Sequence, residues 1–542
     1  MEAAIRLTRR LLLSAGAAAL AAPAILRAAA PIRLTILHSN DVHSRHEPIN
    51  RLGAACRAEE QQPGACFGGS ARLAAAIAGE RAAAEAAGRI VLTLDAGDQF
   101  MGSLYYTHWR GEAERQVMNA IRYDAMAVGN HEFDNGPPVL ARFAASLDCP
   151  LLSANVDAGE EPSLGGLIRP ATVIERGGVR IGVVGLTTVD TPRISSPGPR
   201  VRFGDEEAGL RAGVAQARAS GAEVVVALTH VGLEADRRLA AAVPGISAVI
   251  GGHSHTLLSN AAPEAAGRYP LPIAGATGFV VPVVQAGAFN RWLGRLDLDL
   301  DRDGRVLAAT GDARALGFAD PRDPAVEALL ARLAAPLAAL RAQVVGSLAE
   351  GVANAGCRSG ECALGNMVAE AMLDAARGAG AVVALQNGGG LRSGLPAGAV
   401  TWGDVLTVLP FSNTLATLRL SGADLRAALE AGLAGVERGA GAFPQVAGLR
   451  LVWRADAPAG RRVVSVELRT PEGGFAPLDE ARLYGVVTNN FLRQGGDGYA
   501  VLRDRAIDPY DSGPNLEEVF AAWLGRHSPV RPATDGRIVR RQ

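Results

Sequence analysis

The sequence predicts an α/β protein of two domains, and three observations carry that expectation. Seven residues able to ligate a metal ion, Asp41, His43, Asp98, Asn130, His230, His253 and His255, fall at the downstream ends of short apolar runs in the first half of the chain. The second half repeats the arrangement with different polar groups. Asn-Gly-Gly-Gly-Leu-Arg at 387–392 follows the apolar run 382–385, and Gly-Gly-Asp-Gly at 495–498 comes shortly after Val486-Val487. At 542 residues the chain also exceeds the size at which one hydrophobic core keeps growing.

The elements follow in order. Arg6, Arg9 and Arg10 precede Leu11-Leu12-Leu13 and an Ala-rich stretch ending near Ala28-Ala29-Ala30, which together have the charged, apolar and small-residue regions of a signal peptide. Thr8-Arg9-Arg10-Leu11-Leu12 resembles a twin-arginine signal, with general secretory export as the other route. Residues 1–30 are therefore expected to be removed near Ala30, leaving a periplasmic protein. The runs 34–37, 90–94, 125–128, 224–228 and 249–250 are short, β-rich and bounded by Gly or polar residues, so they read as buried strands. A helix is expected to begin near Ser70. Asp320-Pro321-Arg322-Asp323-Pro324 reads as another helix start, followed by helical periodicity over 325–345 and a stop at Gly346. That helix places a linker at 318–348, between domains 31–317 and 349–542.

In α/β folds, ligands gather outside the carboxyl ends of strands, so the five ligand-bearing segments should converge on one pocket. Asp and Asn oxygens mixed with imidazoles suit Zn, Mn, Fe or Co, whereas Ca²⁺ or Mg²⁺ sites are nearly all oxygen. Two divalent ions about 3.5–4 Å apart need a bridging anion and together generate a hydroxide and clamp a phosphoryl oxygen. Asp98 is the natural bridge. Any one of these residues alone would be an ordinary loop polar group, but four of only nine histidines occupy such strand-end positions. His131 follows a ligand and has Asp134 three residues later, a pairing that orients an imidazole for charge stabilisation or proton donation. The same stretch reads as a helix start capped by Asn130.

Asp41-Val42-His43, Gly97-Asp98, Gly129-Asn130-His131-Glu132-Phe133-Asp134, Thr229-His230 and Gly251-Gly252-His253-Ser254-His255 resemble the calcineurin-like metallophosphoesterases. More narrowly, the chain from about Ile32 to its C-terminus is similar to the secreted 5′-nucleotidase and UDP-sugar hydrolase family. The resemblance implies an N-terminal four-layer αββα sandwich, a helical linker and a C-terminal α+β nucleotide-binding domain. It also implies a His131–Asp134 dyad. One departure is His255, where some relatives carry Gln or Asn. In the second half the matching motifs are Cys357-Arg358-Ser359-Gly360-Glu361-Cys362, Asn387-Gly388-Gly389-Gly390-Leu391-Arg392, Leu409-Pro410-Phe411 and the segment from Asn489 to Tyr499. By resemblance Arg358 and Arg392 bind phosphate, Asn387 contacts the nucleoside, Phe411 and Phe491 sandwich the base, and Asp497 accepts hydrogen bonds from ribose hydroxyls. Elementary chemistry agrees with each role: Arg presents a planar fork to phosphate oxygens, aromatic faces stack on any base, and a carboxylate suits a pair of hydroxyl donors.

The remaining composition narrows the function. The net charge is −1, from 54 basic and 55 acidic residues, so no electrostatic footprint for a nucleic-acid polymer or an anionic membrane exists. All 54 basic residues are arginine, which reads as a coding bias. Beyond the leader no apolar run approaches the ~20 residues of a membrane span, and no Cys marks a lipid anchor at the cleavage site. Five cysteines fit an oxidising compartment. Cys357 with Cys362 and Cys56 with Cys66 bracket polar loops, as similar pairs do in animal ecto-nucleotidases, while Cys149 is expected to be a buried thiol. The expected function is a two-metal hydrolase of nucleoside 5′-monophosphates. Alternatives are a UDP-sugar or dinucleotide diphosphatase or a 2′,3′-cyclic phosphodiesterase on the same scaffold, and, from another class, an inactive nucleoside-binding protein. A thiosulfohydrolase is disfavoured, because Phe411, Phe491 and Asp497 have no use in binding a sulfur oxyanion.

Overall fold

A computed structural model describes residues 31–541 apart from 51–55, 57–61, 412, 440 and 512. The leader expected over residues 1–30 lies outside the described residues. The apolar runs of the first half form the parallel centres of two sheets. The first sheet has the spatial order Val306–Ala315, Trp292–Leu300, Ile32–Ser39, Ile90–Asp95, Ala125–Ala127, Leu151–Leu152 and Ile168–Arg169. Ile32–Ser39 runs antiparallel to Trp292–Leu300 and parallel to Ile90–Asp95. The second sheet runs Leu271–Ala274, Val280–Val284, Ala248–Gly251, Val224–His230, Val179–Thr187 and Ala171–Arg176.

Successive strand residues point to opposite faces, and both faces of these strands are covered. Val224, Val226 and Leu228 pack between the sheets against Leu34, Ile36, Leu92 and Leu94. Val225 and Ala227 pack instead with Leu210, Val214 and Leu239 of helices Glu206–Ala219 and Leu233–Ala242. On the far side Leu37 and Val91 meet Leu73, Ile77 and Val117 of helices Ser70–Ala86 and Glu112–Ile121. The result is four layers, helix, sheet, sheet and helix. Burial on two faces is why the strands read as unbroken apolar runs and not as alternation. Each buried Leu or Ile contributes about 1.5–3 kcal/mol, so the strand ends that carry the ligands rest on a rigid base.

The second half builds a five-stranded sheet in the order Pro444–Ala447, Val383–Asn387, Leu483–Asn489, Leu415–Ser421 and Ile507–Tyr510. Val383–Asn387 and Leu483–Asn489 are parallel neighbours, so the ends of both apolar runs lie side by side. Helices Ala363–Ala376 and Leu516–His527 cover one face through Leu364, Val368, Met372, Phe520 and Leu524. A four-stranded sheet and helix Gly422–Leu433 close the other through Trp453, Leu425 and Leu429.

The helix expected over 325–345 spans Pro324–Ala342. Asp323 caps it, accepting hydrogen bonds from the N–H groups of Ala325 and Val326 at 2.9 and 3.0 Å. Its buried residues, Val326, Leu329, Leu333 and Leu337, join the outer core of the first half. It ends earlier than the periodicity implies. Val344–Leu348 is a strand paired with Gly398–Thr401, because the β-branched Val344-Val345 pair finds a sheet partner that sequence periodicity does not reveal. Gly346 therefore lies within a strand, where a Cβ would come within 2.9 Å of the Leu524 backbone. No helix among the described residues is long and apolar enough to cross a membrane.

Candidate active site

Each candidate ligand of the first half sits at or beyond the carboxyl end of a strand, and five of the seven, all but Asn130 and His230, do so on backbone few residues adopt. Asp41 (φ 51°), His43 (φ 49°), Asp98 (φ 59°), His253 (φ 79°) and His255 (φ 52°) are all left-handed. Such residues cost on the order of 1–3 kcal/mol each and persist only where their surroundings over-determine them. The neighbouring glycines show why. A Cβ on Gly129 would lie 2.2 Å from Asp98 Oδ1, and one on Gly97 would lie 2.9 Å from His230 Nδ1. Only glycine lets these loops approach so closely.

The imidazoles are turned inward by their outer nitrogens. His230 donates Nδ1–H to the Ala96 carbonyl at 2.7 Å, and His43 donates Nδ1–H to the Phe100 carbonyl at 3.2 Å. Both therefore present Nε2 to the pocket, a tautomer choice typical of metal-ligating histidine. His230 Nε2 is 3.0 Å from Asp98 Oδ2 and 3.2 Å from Asn130 Oδ1. His43 Nε2 is 3.8 Å from Asp98 Oδ2 and 2.9 Å from His255 Nε2, which is itself 3.3 Å from Asp41 Oδ1. Three groups have metal-ligand spacing: Asp41 with His43 and His255, Asp98 with His230 and His253, and His43 with Asp98 and His131. Asp98 belongs to the last two.

The charge states suit divalent cations. Burial, with the neighbouring His255, lowers the His43 pKa to about 3, and burial lowers that of His253 to about 4, so both rings are neutral donors. Burial opposes ionisation of Asp98, but the His230, His131 and His43 imidazoles outweigh it and hold the carboxyl well below the usual carboxylate range. At His230 burial is outweighed by Asp98 and Asp41, which raise its pKa to about 10, so a metal ion there would have to displace a proton. Carboxylates and imidazoles in one buried cleft are the donor types that fit Zn, Mn, Co or Fe.

His131 faces the same cluster with a different anchor. Its Nδ1 is 2.7 Å from Asp134 Oδ2, and Asp134 Oδ1 in turn accepts a hydrogen bond from Ser195 Oγ at 2.8 Å. Burial alone would lower the His131 pKa, but Asp134 and Asp98 raise it to about 9. Asn130 does not act as the helix cap that its position suggested. It makes no side-chain cap hydrogen bond, and residues His131–Phe133 form one short 3₁₀ turn, because its amide oxygen is turned to His230 instead.

Several positioning groups were not singled out from the sequence. Glu132 is fully buried and accepts hydrogen bonds from the backbone N–H groups of Asp98, Gln99, Phe100 and Gly129, at 2.7–3.2 Å. Four donors on one carboxylate clamp the Asp98 loop to the Asn130 loop. Asn40 donates to Asp41 Oδ2 and to the Gly287 carbonyl, both at 2.6 Å, and Arg45 and Phe289 line the cleft. The position of Glu132 inside the Asn-His-Glu-Phe-Asp motif was the available signal. Arg45 and Phe289 carried none.

The second-half motifs face the same opening. A cleft of about 910 Å³ is lined by His43, Asp98, Asn130, His131, His253 and His255 on one side and by Arg358, Asn387, Arg392, Phe411, Phe491 and Asp497 on the other. Asn387 donates from Nδ2 to Asp497 Oδ2 at 2.8 Å and receives a hydrogen bond from Asn489 at 3.1 Å. The Arg392 guanidinium lies 5.9 Å from the Phe411 ring centroid. Gly388 and Gly389 admit this packing: a Cβ on Gly388 would lie 1.9 Å from the Cys357 carbonyl oxygen. Cys357–Cys362 and Cys56–Cys66 are disulfide-bonded, and Cys149 is a buried thiol.

Comparison with known proteins agrees with this geometry. Residues 34–257 match the calcineurin-like phosphoesterase family and residues 344–504 match the 5′-nucleotidase C-terminal domain. The chain is 36% identical over 532 residues to a snake venom 5′-nucleotidase of Naja atra, covering 93% of this chain and 98% of that one. It belongs to the 5′-nucleotidase family. Among solved structures it is similar to the 5′-nucleotidase precursor of Thermus thermophilus, at 40% identity and a TM-score of 0.63, and to the Haemophilus influenzae NAD nucleotidase, at 27% and 0.73; each match covers 94% of this chain and 99% of the other. As a 5′-nucleotidase family member with a calcineurin-like half, the protein is a metal-dependent phosphoester hydrolase with divalent metal ions as cofactors.

Proposed function

We propose that this family member is a periplasmic two-metal 5′-nucleotidase that hydrolyses nucleoside 5′-monophosphates to nucleoside and phosphate. In this reading residues 31–317 form the metal domain, 318–348 the connection and 349–542 the nucleotide domain. Asp41, His43, Asp98, Asn130, His230, His253 and His255 would hold the two ions, with Asp98 placed to serve both. When bound, such a pair supplies a hydroxide at neutral pH and a clamp on a phosphoryl oxygen. His131, oriented by Asp134, stabilises developing charge and holds a proton for the leaving 5′ oxygen. Arg358 and Arg392 neutralise phosphate, Phe411 and Phe491 stack the base, and Asn387 and Asp497 meet the nucleoside.

The observation that carries the reading is the shared cleft, which is lined both by the candidate metal ligands and by the two aromatic rings. The Arg-Arg-Leu-Leu leader motif and the two disulfides support export. A dinucleotide or UDP-sugar diphosphatase is the second reading, favoured by the similarity to an NAD nucleotidase. A panel of AMP, UMP, UDP-glucose, NAD and 2′,3′-cyclic AMP, assayed with metal content, separates them. Nucleoside monophosphates should show the highest kcat/KM. A higher value for NAD or UDP-glucose would replace the monophosphatase assignment, and metal-loaded protein inert on all five would leave a binding protein.

A further inference from the structure

The metal side and the base side of the cleft meet at Arg45. This residue follows the Asp41-Val42-His43 segment, is 8% exposed and lines the cleft. Its Nη2 donates to the main-chain carbonyl of Phe411 at 3.3 Å, a contact spanning 366 positions of sequence. Its guanidinium also lies over Phe289, with Cζ 5.5 Å from the ring centroid. Phe289 in turn packs against His43 and His255, at centroid distances of 5.7 and 5.3 Å. One column of contacts thus runs from the first ligand cluster through Phe289 and Arg45 to Phe411.

Arg45 is held rigidly at its own backbone. Its N–H donates to the Val42 carbonyl at 3.1 Å, and its carbonyl accepts from Asn290 Nδ2 at 3.1 Å. Its Nε is buried without a hydrogen-bond partner among the described residues. Burying a guanidinium with an unmet donor is unfavourable for stability. The charge of Glu517, at the start of helix Leu516–His527, opposes that penalty from the second half of the chain. A buried guanidinium that rests on Phe289 of the first half but takes its hydrogen-bond acceptor, Phe411, and its counter-charge, Glu517, from the second fits a role in registering the two halves.

We propose that Arg45 is a positioning residue that fixes the Phe411 segment relative to the metal cluster, so that base stacking and phosphate placement occur in one register. The proposal rests on the nucleotide reading above. Arg45→Met keeps the apolar stem and removes the fork. KM for AMP should rise roughly tenfold, the size of one charge-assisted hydrogen bond, while metal content and kcat for p-nitrophenyl phosphate stay within about twofold. Arg45→Lys, a point charge without the fork, should fall between. In a Phe411→Ala background the same Arg45→Met change should alter KM for AMP by less than about twofold, because the ring it positions is gone. Multiplicative effects in the double variant would overturn the proposal. So would an equal loss on AMP and p-nitrophenyl phosphate, or loss of metal, either of which makes Arg45 a support for the metal loop alone. If Phe411→Ala by itself spared AMP, the nucleotide reading would fail and this proposal with it, on a signal independent of Arg45.

Discussion

On the metal side of the cleft, Asp41, Asp98, Asn130 and His230 are at most 2% exposed, whereas on the facing side Phe491 is 44% exposed and Arg358 is open to solvent. The metal side is held by contacts within the protein. Its Nδ1–H anchors, the Glu132 clamp and the left-handed loops hold donor atoms in place. Preorganised groups of that kind act on the transition state without reorganising during reaction. Of the facing rings Phe491 is exposed and Phe411 partly buried, so in the proposed function a bound base would take apolar surface out of water. The difference teaches that damage to the metal side should appear in kcat and metal content, and damage to the facing side in KM.

The sharpest break comes from Asp98→Ala. Without the carboxylate, turnover should fall to background and metal content, measured by elemental analysis, should drop. His131→Ala comes next: both metals should stay while kcat falls by roughly 10²–10⁴. If that variant lost metal as badly as Asp98→Ala, His131 would belong with the ligands and the division between ligand and catalyst would be wrong.

Phe411→Ala and Phe491→Ala test the facing side. A stacked ring is worth ~1–3 kcal/mol, so each should raise KM for AMP by roughly 5- to 150-fold with kcat nearly unchanged. Ribose 5-phosphate is the control, and equal losses on both substrates would make the rings structural supports. The smallest effect should come from Cys357→Ser with Cys362→Ser. Opening this short loop should cost about 2 kcal/mol in a denaturant titration. KM should rise only slightly, through loosening of the Arg358 loop. Non-reducing peptide mapping should find Cys149 unpaired; a major disulfide to Cys149 would overturn that pairing.

The convergence of the candidate ligands on one cleft was legible because each lies at or within a few residues of the end of an apolar strand, and strands buried on both faces leave continuous runs. Asn130 misled as a cap, since its short polar side chain suits both roles and only the nearness of His230 selects one. The helix end misled in a similar way. Val344-Val345 continues a helical period, yet its partner strand Gly398–Thr401 lies more than fifty residues away.

By itself the sequence determined the α/β class, the presence of strand-end donors in two halves and the chemistry those donors suit, because hydrophobic period and residue type are local properties. Tertiary structure alone decided that Glu132 joins two loops and that Arg45 reaches Phe411. Those facts depend on which chain ends the packing of two sheets and a second domain brings within a few ångströms, and no local pattern encodes a distance between residues hundreds of positions apart.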